Sequence, residues 1–152
     1  MSISLVLLPL AVAAVTAAHD RMSRRTENGS TICSVGTRMR DGGLLARALE
    51  DTGASVGWAP SQDSLLIQWA DVTARFDRGV DGIWSAHFAG DVDEARAREL
   101  VAAIDAAYGR RVQAAVLERL RQRAPASGMR LESETVEDDS SVTLVLTVEQ
   151  GA

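Results

Sequence analysis

Between Ser64 and Phe88 apolar and polar residues alternate through consecutive short segments, and this alternation restricts the possible fold more than any other feature of the chain. Ser64-Leu65-Leu66-Ile67-Gln68-Trp69 reads as a strand, and Ala70-Asp71 as the turn into Val72-Thr73-Ala74-Arg75-Phe76-Asp77. Side chains of a strand point alternately to its two faces, so Val72, Ala74 and Phe76 share one side while Thr73, Arg75 and Asp77 share the other. Arg78-Gly79-Val80-Asp81-Gly82 is a hairpin loop, after which Ile83 to Phe88 returns with Trp84, Ala86 and Phe88 on one side and His87 on the other. With Ala54-Ser55-Val56-Gly57-Trp58 before it, ending at Pro60, the middle of the chain is a half-buried β-meander.

Helical periodicity brackets the meander. Thr31-Ile32-Cys33-Ser34-Val35-Gly36 is a β-type run, followed by Leu44, Leu45, Ala48 and Leu49 at helical spacing. Asp41 is the expected N-cap and Thr52-Gly53 the stop. Beyond Gly90, Asp91-Val92-Asp93-Glu94 resembles a capping box with Asp91 as the cap. It opens a long helix whose expected stripe is Ala97, Leu100, Val101, Ile104, Tyr108, Val112, Val116 and Leu120, with Gly109 as a place to bend and Pro125 and Gly128 as the end. Met129 to Val136, the acidic turn Glu137-Asp138-Asp139-Ser140 and Ser141 to Val148 form a closing hairpin. The order β-α-β-β-β-β-α-β-β predicts an α+β fold with two main helices packed on one face of a largely antiparallel sheet.

The apolar run from Ile3 to Ala18 is closed by Arg21, Arg24 and Arg25. As a helix it would reach roughly 24 Å against about 30 Å of hydrocarbon core. No basic residue precedes it, so the positive-inside rule reads it as a membrane anchor, built on Leu5, Leu7, Leu8, Leu10, Val12 and Val15, that keeps the downstream chain in the cytoplasm. A cleaved signal and a helix packed against a partner are the alternatives, the latter with a soluble cytoplasmic protein. The expected organisation is therefore an apolar leader and polar tether over residues 1–30 and a single α+β domain over 31–152.

Composition narrows the chemistry. Sixteen basic residues, all arginine, against 21 acidic ones give a net charge of -5, and the arginines are interspersed with acids. Nucleic-acid binding needs concentrated positive charge and is disfavoured. The absence of lysine excludes a Walker-type phosphate loop. One cysteine, Cys33, and two histidines, His19 and His87, supply no metal set, so His87 reads as structural or solvated. Asp77 to Gly82 is similar to the start of a calcium loop, but Gly79 stands at a ligand position and Phe88 where the bidentate glutamate belongs. Glu132, Glu134, Glu137, Asp138 and Asp139, and the late-helix arginines Arg110, Arg111, Arg119, Arg121 and Arg123, read as solvated. No catalytic residue, cofactor or metal is expected. In a chain so poor in aromatics, Trp69 and Trp84 are read first as core and second, with Tyr108, as the rim of a pocket.

Three stretches carry a resemblance: Gly43-Leu44-Leu45-Ala46-Arg47-Ala48-Leu49-Glu50-Asp51-Thr52-Gly53, the helix around Tyr108 running into Val112 and Val116, and Leu131-Glu132-Ser133-Glu134-Thr135-Val136-Glu137-Asp138-Asp139-Ser140-Ser141-Val142-Thr143-Leu144. From Thr31 onward the chain resembles the hypothetical chloroplast reading frame thirty-five family, small domains of unknown function from cyanobacteria, plastids and other bacteria. Typical members begin close to the first strand and lack the apolar leader. The resemblance implies no catalytic residues. Members are described beside genes for AAA-type ATPases, which implies an accessory or adaptor role. The leading expectation is thus a membrane-tethered, non-enzymatic module that binds another protein, possible partners including an AAA-type ATPase. A small-molecule-binding or cryptically enzymatic domain with a pocket near Trp69, Trp84 and Tyr108 is the second, and a self-assembling structural subunit the third.

Overall fold

The computed structural model describes residues 2–7, 22–27 and 30–149. Its elements are β1 (Ser2–Leu7), β2 (Met22–Glu27), β3 (Ser30–Gly36), α1 (Gly42–Asp51), β4 (Ser55–Trp58), β5 (Ser64–Gln68), β6 (Thr73–Arg78), β7 (Trp84–Ala89), α2 (Glu94–Arg123), a 3-10 turn (Pro125–Ser127), β8 (Met129–Val136) and β9 (Val142–Val148). From β3 onward the order is the expected one, and the protein is α+β with two helices among the described residues and antiparallel sheets. The strands divide between two sheets, where one was expected. Contacts group the chain into two compact units, Leu10–Gly109 and a second made of Met1–Pro9 with Arg110–Ala152.

In the first unit a six-stranded sheet runs β2-β3-β7-β6-β5-β4, every neighbouring pair antiparallel. The meander β4 to β7 forms by successive short turns, and β3 then pairs with β7, placing Ser34 beside His87 and Val35 beside Ala86. The inward residues picked by alternation, Ala74 and Phe76 and Trp84, Ala86 and Phe88, are buried, and so are Cys33 and Val35 of β3 and Leu65 and Ile67 of β5. Leu45 and Leu49 of α1 and Leu100, Val101 and Ile104 of α2 join the same core, so both helical stretches cover one face of this sheet. Asp41 caps α1 as expected, its Oδ1 accepting from Leu44 N at 2.9 Å. For α2 the cap is Asp93, two residues later than expected, since its Oδ1 accepts from Arg96 N at 2.7 Å. Gly109 does not interrupt α2. A glycine costs only about 1 kcal/mol in a helix interior, and the alanines beside it are the best helix formers.

The second unit holds the three-stranded sheet β1-β9-β8. Its small core is Leu117, Val142 and Leu144, with Leu7, Leu120 and Leu131 packed against it. The expected stripe of α2 shifts here: Leu117 is buried, while Val116, on the expected stripe, is 37% exposed. The N-terminal helix expected from Ile3 is corrected over residues 2–7, which form β1 instead. Ser2 and Ser4 alternate with Ile3, Leu5 and Leu7, a strand pattern hidden inside the apolar run. Pairing with β9 in the register Ile3↔Leu146, Leu5↔Leu144 and Leu7↔Val142 satisfies the backbone groups of β9 along that edge and puts these six apolar residues on one face. The remaining anchor positions, Leu8, Leu10, Val12 and Val15, lie outside the described residues. Among the described residues no helix is long and apolar enough to cross a membrane.

Candidate functional site

The face of the six-stranded sheet opposite the helices carries the polar half of the alternation. Across it Ser34 stands opposite His87, His87 opposite Arg75, Arg75 opposite Leu66 and Leu66 opposite Gly57. Asp77 lies one diagonal step away, opposite Ser64. Three groups converge on its carboxylate: Ser64 Oγ donates to Oδ1 at 2.6 Å, Arg75 Nε donates to Oδ2 at 2.8 Å, and His87 Nε2 stands 3.5 Å from Oδ2. On its other side the imidazole meets Ser34 Oγ, 2.8 Å from Nδ1. These partners assign the tautomer: Nε2 carries the proton toward Asp77, and Nδ1 accepts from the Ser34 hydroxyl. His87 and Asp77 are about one-third exposed, and the guanidinium of Arg75 is more open.

The array therefore contains an oriented base in contact with a hydroxyl. Reading His87 as an isolated imidazole missed it. The signal was present in part, because Ser34, Arg75, Asp77 and His87 all fall on outward positions of their strands. The strand N–H groups of β3 and β7 are committed to ladders on both sides, so the face presents no pair of free backbone donors to a developing oxyanion. The same face exposes apolar surface, Leu66 being 56% accessible, whereas the exposed Trp58 pairs with Leu65 and lies on the helix side of the sheet edge. Among the described residues no group of three or more His, Cys, Asp or Glu is arranged to hold a metal ion.

The expected rim residues separate. Trp69 is 8% exposed, stacks on Phe88 with ring centroids 6.3 Å apart, and donates from Nε1 to Thr52 Oγ1 at 3.1 Å. Trp84 lies at the other end of β7, where it pairs with Arg78, and meets Trp58 edge-on at 6.1 Å. Trp84 and Tyr108 do act on one segment, the loop from Thr37 to Asp41. Trp84 N donates to Met39 O at 2.9 Å, and its carbonyl accepts from Thr37 Oγ1. Tyr108 Oη accepts from Arg40 N at 3.3 Å and Asp41 N at 3.1 Å. Tyr108→Phe is expected to cost about 1–2 kcal/mol in urea unfolding by orphaning these two amides. It should also speed amide hydrogen exchange at Arg40 and Asp41 selectively, and unchanged exchange there would remove Tyr108 from this role.

One turn before Tyr108, Asp105 is buried, with Oδ2 lacking a hydrogen-bond partner. Burial pushes its carboxyl up to about 6, and the Arg38 charge only partly opposes this. Elsewhere, Asp63, Arg78, Gly79, Val80 and Gly82 line a shallow recess of about 350 Å³ at the β6–β7 hairpin.

No known protein family, curated protein or solved structure matches this chain.

Proposed function

We propose that this chain is a non-enzymatic accessory module that binds another protein through the open face of its six-stranded sheet. The observation that carries the reading is the exposure of Leu66 beside Arg75 on a face that neither helix covers. Arginine is enriched at protein interfaces, and covering an exposed leucine beside it removes apolar surface from water. Resemblance to the chloroplast reading frame thirty-five family supports an AAA-type ATPase as the partner. Membrane attachment with the folded part in the cytoplasm belongs to this proposal as well. Its support is the apolar composition of residues 8–18 and the arginines after them, since residues 3–7 belong to a sheet. A small-molecule pocket near Trp69, Trp84 and Tyr108 is less favoured, because Trp69 and Trp84 stand at opposite ends of β7.

The test is a mild-detergent pull-down of the tagged full-length chain from its native cells, beside Leu66→Glu, with quantitative mass spectrometry. A stoichiometric partner retained by the parent and lost with the variant is the expected result, circular dichroism verifying that the variant folds. Recovery of the bait alone, or a partner indifferent to Leu66→Glu, would sink the reading. Fractionation of the same cells tests the attachment, which fails if the chain stays wholly in the supernatant.

A further inference from the structure

We infer that Ser34 is an activated nucleophile, a site at which this protein accepts an acyl group from activated esters. The inference stands on the chain of contacts Ser34 Oγ to His87 Nδ1 at 2.8 Å and His87 Nε2 to Asp77 Oδ2 at 3.5 Å, on a half-buried sheet face. A serine becomes nucleophilic when a neighbouring base takes its proton and a third group orients that base. Asp77 supplies the orientation. Ser64 and Arg75 hold its two oxygens, so the carboxylate is fixed before the imidazole acquires charge. The ring nitrogens are used in the reverse sense to most serine hydrolases, but the neutral imidazole offers one donor and one acceptor whichever way it faces.

With an aryl ester, Ser34 Oγ attacks the carbonyl carbon and its proton passes to Nδ1 of His87. Asp77 stabilises the imidazolium. The bond from the acyl carbon to the aryl oxygen then breaks, the electron pair leaving on the phenolate, and the proton on His87 is released to the phenolate or to water. The products are O-acyl Ser34 and the phenol. O-acyl Ser34 is an alkyl ester whose leaving group, a serine alkoxide, is far more basic than a phenolate, so attack by water on it is slower than the acylation that formed it. The acyl group therefore accumulates, and the outcome is stoichiometric modification instead of turnover. His87 is the base, and Asp77 is a positioning residue.

The experiment treats the full chain with p-nitrophenyl acetate and maps acetylated peptides by tandem mass spectrometry over time. Exposed Ser61 and Ser127 of the same chain serve as internal references. Ser34 is expected to be acetylated about 10²-fold faster than either, the lower range of general-base assistance. Its rate should show a pH dependence of its own, distinct from that of the reference serines. His87→Gln should bring Ser34 down to the reference serines and leave only a hydroxide dependence. Asp77→Asn should slow the reaction and change its pH profile, which a purely structural contact would not do. Far-ultraviolet circular dichroism of each variant separates loss of reactivity from loss of fold. Acetylation of Ser34 no faster than that of Ser127, or a rate unchanged by His87→Gln, overturns the inference.

Discussion

Trp84→Ala is expected to lower the stability of the chain by about 3–5 kcal/mol, the range for removing a large buried aromatic side chain. Trp84 is 1% exposed and is the largest of the fully buried side chains. Its indole fills space that the backbone of α1 leaves open. A Cβ at Gly42 would lie 2.7 Å from Trp84 Cζ2, so the first turn of the helix is in direct contact with the ring. Alanine leaves a cavity that cannot close, because the backbone on either side is tied down. Trp84 N is bound to Met39 O, and β7 is paired with both β3 and β6. Trp84→Phe should cost far less, about 1 kcal/mol. The indole N–H is buried with no hydrogen-bond partner, so phenylalanine gives up no such bond and relieves an unsatisfied donor. Urea unfolding followed by circular dichroism distinguishes the two. Equal losses for alanine and phenylalanine would mean that the edge of the indole, not its bulk, supports this end of the sheet.

Asp105→Asn is expected to stabilise the protein at neutral and alkaline pH and to cost about 1–2 kcal/mol in acid, where the parent's carboxyl is neutral. The carboxyl titrates near 6 in the folded chain against an ordinary value of 3.8, so folding favours its protonated form. Below about pH 4 both folded and unfolded chains carry the proton and the burial costs nothing. The cost grows as pH rises from about 4 to 6 and is fully present above that, at about 1.4 kcal/mol per pH unit of displacement. That places the total near about 3 kcal/mol, of which asparagine recovers about 1–2, since its own amide also enters a site short of partners. The parent should therefore lose stability between about pH 4 and 6 relative to Asp105→Asn, the two curves crossing within that window with the parent the more stable in acid. Arg38→Ala should widen the gap by removing the charge that opposes the upward shift. Thermal unfolding across this range decides it, and parallel curves would show that Asp105 keeps its ordinary acidity.

Much of the candidate site was legible in pieces and illegible as an assembly. Alternation along Thr73 to Asp77 and along Trp84 to Phe88 correctly separated Phe76, Trp84, Ala86 and Phe88 from Arg75, Asp77 and His87. The same alternation holds in β3, where Ser34 faces away from the buried Cys33 and Val35. What it could not show is that β3 lies beside β7, since 53 residues separate Ser34 from His87. Alternation is a property of one strand, whereas pairing is a property of two. The separation of Trp69 from Trp84 was illegible for the same reason. The strands place their ends only through register, and register put Trp69 and Trp84 at opposite ends of β7.

The leader shows how a strong composition masks a weaker period. Counting apolar residues from Ile3 to Ala18 points to a helix, because the run is long and rich in alanine. Within it Ser2 and Ser4 mark a strand face, and the edge of β9 supplies what a strand needs, a partner for its N–H and C=O groups. An isolated run offers no such edge, so the choice between helix and strand was open until β9 was in place. In α2 the converse holds: helical propensity carried the element through Gly109, while the buried position in its later part, Leu117 instead of Val116, was set by the sheet it meets.

By itself the sequence determined the elements from Thr31 to Val148 and which side of each strand is apolar. Those depend on local geometry, on the alternation of a strand and the turn of a helix, and on caps such as Asp41. Only the tertiary structure decided that the strands form two sheets, that residues 2–7 join the second, and that Ser34, His87 and Asp77 meet. Hydrogen bonds between distant strands and the burial of particular faces select one pairing among many that the same local pattern allows.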